Sequence, residues 1–155
     1  MSHEQRLAEL GITLPEVAAP VAAYVPAVQT GRHVYTSGQL PFTAGTLAAT
    51  GKVGEGEGLV SPDDAAGYAR ICALNALAAV RSVTGSLDAV SRIVKVVGFV
   101  ASDPSFTGQP GVINGASTVL GEIFGDAGLH ARSAVGVAVL PLDAPVEVEL
   151  VVELV

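Results

Sequence analysis

Arg132 heads a stretch in which it shares one alternating face with Ala134, Gly136 and Ala138, residues too small to fill the space beside a guanidinium. A planar guanidinium with room around it can clamp a carboxylate through two parallel hydrogen bonds. The same charge can instead pair with a glutamate of a neighbouring subunit. Glu147, in a second alternating stretch, can act as a general base or simply face solvent. The remaining reactive side chains form no constellation. His3, His33 and His130 are scattered without an i, i+4 pair, and there is no cysteine cluster to join them around a metal. Serines are plentiful, yet no Gly-x-Ser-x-Gly turn presents one as a nucleophile. Gly51-Lys52 is followed by Val53 rather than Ser or Thr, and Gly54 and Gly56 lack a third glycine at dinucleotide spacing. Cys72 falls within an alanine stripe with no basic neighbour to activate it, which makes it core packing. No metal and no cofactor is expected.

Two strands must position Arg132 and Glu147. Residues 132–140 and 146–154 both alternate large apolar with small or acidic residues. They read as a hairpin around Pro141 to Pro145. Matching their apolar faces places Arg132 and Glu147 on one face, with the small residues between them leaving room for a ligand or a neighbouring subunit. Upstream, Ser61-Pro62-Asp63-Asp64 opens a helix that runs to Thr84 and stops at Gly85. The Ile/Val/Phe run from Ser91 to Ala101 reads as a central strand buried on both faces. A second helix spans Pro110 to Phe124, weakened by Gly115 and Gly121, so tertiary packing must hold it. Val21, Tyr24, Val25 and Val28 suggest a first, edge strand, paired with His33 to Ser37, and residues 45–58 read as a mobile surface loop. Glu4 to Leu10 makes a short helix closed by Gly11. The order β-β-α-β-α-β-β, with two helices on one face of the sheet, is an α+β layer fold whose other face is uncovered.

The 155 residues are expected to form a single domain, 1–155, with residues 1–17 as an N-terminal extension. Half of the residues are hydrophobic and 15% charged, against about 25% charged in an ordinary domain. That shortage points to buried subunit interfaces. A net charge of −7 disfavours nucleic acid and anionic membranes, which need clustered Lys and Arg. One cysteine allows no internal disulfide, the N-terminus lacks the basic and apolar runs of an export signal, and no stretch is apolar enough to span a bilayer. A soluble, cytoplasmic protein is expected.

Tyr24-Val25, Tyr35-Thr36-Ser37-Gly38-Gln39-Leu40-Pro41, Asn114, Ala131-Arg132-Ser133, Leu140-Pro141 and Val146-Glu147-Val148-Glu149 occur in this order. The ordered set resembles the reactive intermediate deaminase (Rid, YjgF-like) family, formerly labelled L-PSP endoribonucleases. The resemblance implies a chorismate mutase-like fold and a homotrimer with sites between subunits. It also implies cofactor-independent hydrolysis of 2-imino or 2-enamino acids to 2-keto acids and ammonia. By the same resemblance Arg132 holds the substrate carboxylate and Glu147 stands near the attacking water. Tyr24, Ser37, Gly38, Asn114 and Ala134 line the cleft, Ala134 where well-known members carry cysteine, and His130-Ala131 stands where a proline is common. The alternative reading is a non-catalytic trimer that binds a small carboxylate in the same cleft.

Overall fold

In the computed structural model, residues 1–17 and 23–155 are described. Ser2 caps the first helix, α1 (His3–Glu9), through a reciprocal box with Gln5. Strands β1 (Ala27–Thr30) and β2 (His33–Thr36) follow, then a small hairpin of β3 (Phe42–Thr43) and β4 (Thr46–Leu47). The long helix α2 (Pro62–Thr84) begins where Ser61 accepts from the Asp64 amide and ends at Gly85, whose φ of 81° lies in the left-handed region. Strand β5 (Val90–Ala101), helix α3 (Gln109–Phe124), strand β6 (Ala131–Val137) and strand β7 (Val146–Leu154) complete the chain. The order β-β-α-β-α-β-β expected from the sequence is therefore present, with the β3–β4 hairpin inserted.

The five-stranded sheet runs β1-β2-β7-β5-β6, and only the β5–β6 pair is parallel. Helices α2 and α3 pack against each other and against one face of the sheet, and α1 packs on α3. Val96, Val100, Val148, Leu150 and Val152 point into this layer and are fully or almost fully buried. Side chains hold α1 in place. Arg6 Nε donates to the Glu122 carbonyl at 2.9 Å, and the Leu87 amide donates to Glu4 Oε1 at 2.9 Å.

The opposite face has no helix over it. In-register partners across the sheet place Val28, Tyr35, Val151, Lys95 and Ala131 in one row on that face. Val135, Phe99 and Glu147 form another row. Tyr35 is 48% exposed and Val135 44% exposed, an apolar surface interrupted by glutamates.

Four expectations need correction. Strand β5 is not buried on both faces: its helix-side residues are buried, whereas Lys95, Val97 and Phe99 on the open side are only partly covered. The last two strands are not a hairpin pair: β5 lies between them, antiparallel to β7 and parallel to β6. A parallel neighbour requires a crossover, and α3 supplies it. Because β6 and β7 never touch, matching their apolar faces does not set their register. Val96 is level with both Arg132 and Leu150, so Arg132 lies on the helix side and Glu147 on the open side. The small residues of β6 accordingly lie on the side of α3, on the opposite side of the sheet from Glu147. Ala134 packs against the core, and a Cβ on Gly136 would approach Gln109 Nε2 to 2.7 Å.

The segment 45–58 is docked rather than a free surface loop. Val53 is fully buried and bridges Val60 and Ser102, and its amide donates to the Ala101 carbonyl at 2.7 Å. Finally, β1 starts only after Pro26, so Tyr24 and Val25 precede it. Val21 lies outside the described residues.

Candidate functional site

Alternation along β6 aims Arg132 at α3, where three neutral acceptors meet its guanidinium. Nη1 donates to Asn114 Oδ1 at 2.8 Å and to Ser117 Oγ at 3.2 Å, and Nη2 donates to the Pro110 carbonyl at 3.3 Å. Asn114 and Ser117 are three residues apart on α3 and so share a face, one turn beyond Pro110. Both Nη1 hydrogens are used. The Nε–H and one Nη2–H have no partner among the described residues, and a guanidinium holds donors in a planar fork that matches two carboxylate oxygens. Arg6, Arg32, Arg70 and Arg81 pair with glutamates, whereas Arg92 and Arg132 have no acidic partner among the described residues, and Arg92 makes one long bond to the Leu129 carbonyl where Arg132 is held by three acceptors. Its charge is therefore oriented but not neutralised.

The second polar group is built around Glu147 on the open face of β7. Just beyond β2 the chain makes an antiparallel bridge from Gln39 to Val148, with the Gln39 amide donating to the Val148 carbonyl at 2.8 Å. Asn75 of α2 anchors the next turn, since its Nδ2 donates to the Leu40 and Phe42 carbonyls at 3.1 Å each. Gly38 is thereby laid against the Glu147 side chain so closely that a Cβ there would overlap Oε1. Ser37 Oγ donates to the Val25 carbonyl at 2.6 Å, and the Ser37 amide to that of Pro26 at 2.8 Å. These two bonds tie the bend carrying Tyr24, itself 45% exposed, to the same end of the sheet.

Glu147 sits half-buried, level with Phe99 on one side and flanked by Gly38 on the other. Burial pushes its carboxyl above the usual carboxylate range, and the neighbouring Glu149 charge adds to the rise. A carboxylate shifted in this direction is a stronger base when ionised. Cys72 lies on the helix side, buried, its Sγ 3.7 Å from the Val146 carbonyl. Burial, followed by the Glu147 charge, pushes its thiol well above the ordinary value, which leaves it protonated and inert. Among the described residues no three His, Cys, Asp or Glu side chains converge as metal ligands. No helix among them is long and apolar enough to cross a membrane.

The structure thus sorts the expected residues into two groups. Arg132 and Asn114 meet at the edge of the sheet on its helix side, with Ala134 beside them on β6. Tyr24, Ser37, Gly38 and Glu147 gather at the end of β2 and β7. Within one chain the two groups face opposite sides of the sheet. The sequence reading missed Ser117, the Pro110 carbonyl, Gln39 and Phe99. Ser117 was accessible from its helical spacing to Asn114. Phe99 was not, because only the order of strands brings it level with Glu147.

The family described as "YjgF/chorismate mutase-like, putative endoribonuclease" matches residues 4–154. Protein TCP17 of Trypanosoma cruzi is 44% identical over 149 residues, which cover 96% of this chain and 91% of that protein. The crystal structure of Atu1372 from Agrobacterium tumefaciens is 44% identical with a TM-score of 0.88, over 99% of this chain and 92% of that one. That of TdcF from E. coli with bound serine is 26% identical with a TM-score of 0.64, covering 91% and 94%.

Proposed function

The chain belongs to the YjgF/chorismate mutase-like family, and on that footing we propose that it is a cofactor-independent deaminase of 2-imino and 2-enamino acids. The observation that carries this reading is the uncompensated Arg132, held by three neutral acceptors with a donor fork to spare. The serine bound to TdcF, a small amino acid with a carboxylate, is consistent with it. In this reading the Arg132 fork takes the substrate carboxylate and thereby fixes the adjacent C=N carbon. An enamine first tautomerises to the imine. Glu147 accepts a proton as water adds to the carbon, and the proton passes to nitrogen. The resulting carbinolamine then passes its hydroxyl proton, by way of Glu147, to the amino nitrogen as the C–N bond breaks, so that the C–O bond becomes the carbonyl of the 2-keto acid and the nitrogen leaves as ammonia. An imine is already electrophilic, so positioning and mild base assistance suffice.

Arg132 and Glu147 occupy opposite sides of one sheet, so one subunit would supply the Arg132–Asn114 group and its neighbour the Tyr24–Ser37–Gly38–Glu147 group. A homotrimer closed on the uncovered sheet face brings such edges together and buries Tyr35 and Val135. Sedimentation at micromolar concentration should give three times the chain mass. Specific activity should fall on dilution below the assembly constant. A fully active monomer would remove the shared-site reading.

Glu147 makes the pH profile diagnostic. Only its ionised form can accept a proton, so kcat should fall as pH drops through a carboxyl value raised by burial. The acid limb should therefore lie above the ordinary carboxylate range. Glu147→Gln should lower kcat by about 100-fold, abolish that limb and leave pyruvate affinity within about twofold. The second reading, a carboxylate-binding trimer without turnover, is also compatible with serine bound to TdcF. Absence of keto-acid formation across a panel of enzymatically generated imines, with pyruvate binding retained, would favour it. RNA cleavage, named in the family description, is disfavoured by the net charge of −7.

A further inference from the structure

A chain of hydrogen bonds runs from the Arg132 guanidinium back to the main chain. Arg132 Nη1 lies 3.2 Å from Ser117 Oγ, Ser117 Oγ lies 2.9 Å from His130 Nε2, and His130 Nδ1 lies 2.6 Å from the Gly128 carbonyl oxygen. The proton assignments follow from one another. A carbonyl oxygen only accepts, so Nδ1 carries a hydrogen, and in the Nδ1–H tautomer Nε2 presents a lone pair. The Ser117 hydroxyl must then donate to Nε2. With its hydrogen held there, Oγ keeps a lone pair for Nη1 of Arg132. His130 immediately precedes β6 and Arg132 is the second residue of that strand, and both side chains reach Ser117 of α3, which stands between them.

We infer that His130 is a positioning residue for the carboxylate clamp, acting through Ser117 to fix the plane of the Arg132 guanidinium. The inference rests on the carboxylate-binding reading of Arg132, although the hydrogen-bond chain does not. Asn114 alone constrains one Nη1 hydrogen and leaves the guanidinium free to swing about that contact. Ser117 supplies the second Nη1 anchor, and the Pro110 carbonyl engages Nη2 from the same helix. Three anchors on one rigid element leave Nε–H and the second Nη2–H as the outward fork. A Ser117 hydroxyl without His130 is free to turn its hydrogen toward Nη1 and repel it. His130 does not touch the carboxylate in this arrangement, so it sets how well the clamp is formed rather than the chemistry at C=N.

The test uses the full-length protein with pyruvate as the probe ligand and 2-aminoacrylate as the substrate. Nitrogen-15 NMR of the imidazole should show the Nδ1–H tautomer at His130, and a hydrogen on Nε2, in the other tautomer or in a doubly protonated ring, would overturn the assignment. His130→Ala and Ser117→Ala should each weaken pyruvate binding about tenfold and raise KM equally, with kcat within about twofold. His130→Gln retains an acceptor for the Ser117 hydroxyl and should restore affinity to within about twofold of the unmodified protein. Unchanged pyruvate affinity in both alanine variants would sink the inference. So would an affinity loss that follows the melting temperature and is not rescued by glutamine. If His130→Ala does not fold, Ser117→Ala decides, because it keeps the His130 tie to Gly128. Should pyruvate not bind the unmodified protein, the carboxylate reading fails on its own. Relaxation of the Arg132 Nε–H then decides the positioning claim: order lost in Ser117→Ala supports it, and unchanged order overturns it.

Discussion

Replacing Arg132 by alanine is expected to abolish acceleration of keto-acid formation from 2-aminoacrylate, with loss of at least about 100-fold in kcat/KM. A hydrogen bond to a charged partner contributes about 1.5–3 kcal/mol, and the fork makes two of them to the substrate carboxylate. The fork also determines where the C=N carbon lies relative to water, so its removal costs positioning as well as affinity. The fold should tolerate the change. Asn114 is exposed and Ser117 only partly buried, so water replaces the guanidinium at both acceptors. Arg132→Lys should recover little, because an ammonium has no planar fork and cannot satisfy Asn114, Ser117 and Pro110 while binding a carboxylate bidentately. Steady-state rates and pyruvate calorimetry on both variants check this. An unchanged rate in Arg132→Ala would refute the assignment of Arg132.

The largest effect on stability is expected at Gly115, where α2 and α3 touch backbone to backbone. A Cβ at this position would overlap the Ala66 carbonyl oxygen of α2, and no rotamer change can relieve a clash with main chain. Gly115→Ala must push the helices apart, which should cost about 2–4 kcal/mol despite the better helix propensity of alanine. Gly121, on the same helix, meets nothing within 4 Å. Gly121→Ala should therefore stabilise by about 0.5–1 kcal/mol. Urea unfolding of the two variants gives opposite signs if the close approach is real. Two destabilisations of equal size would mean that propensity and packing have been misassigned. Gly115 lies between Asn114 and Ser117, so separating the helices should also loosen the Arg132 anchors and weaken pyruvate binding.

The two helices and the central strand were legible because their signals are local. Ser61-Pro62-Asp63-Asp64 and Gly85 mark the ends of α2 in its own residues, and the apolar run near Val96 marks a central strand, although it does not show that one face of that strand is left without a helix. The weakness of α3 at Gly115 was visible too, and the structure supplies its reason in the contact with Ala66. The segment 45–58 misled because glycine and acid content describe solvation, whereas Val53 is docked by main-chain bonds to Ala101 and by burial.

At the candidate site, residue types drew attention to Arg132 and Glu147 but left each with a structural alternative, an intersubunit ion pair for one and a solvated face for the other, and the roles assigned to them came from the family resemblance. Alternation also settled that each strand has two unlike faces. It did not settle which face of β6 shares a side with which face of β7. That relation depends on β5 lying between them and on the α3 crossover that makes β5 and β6 parallel. Strand order is a property of contacts distant in sequence, and one strand's periodicity contains no information about it. Tertiary structure therefore decided that Arg132 turns toward Asn114 and Ser117 while Glu147 turns toward Gly38 on the opposite side of the sheet.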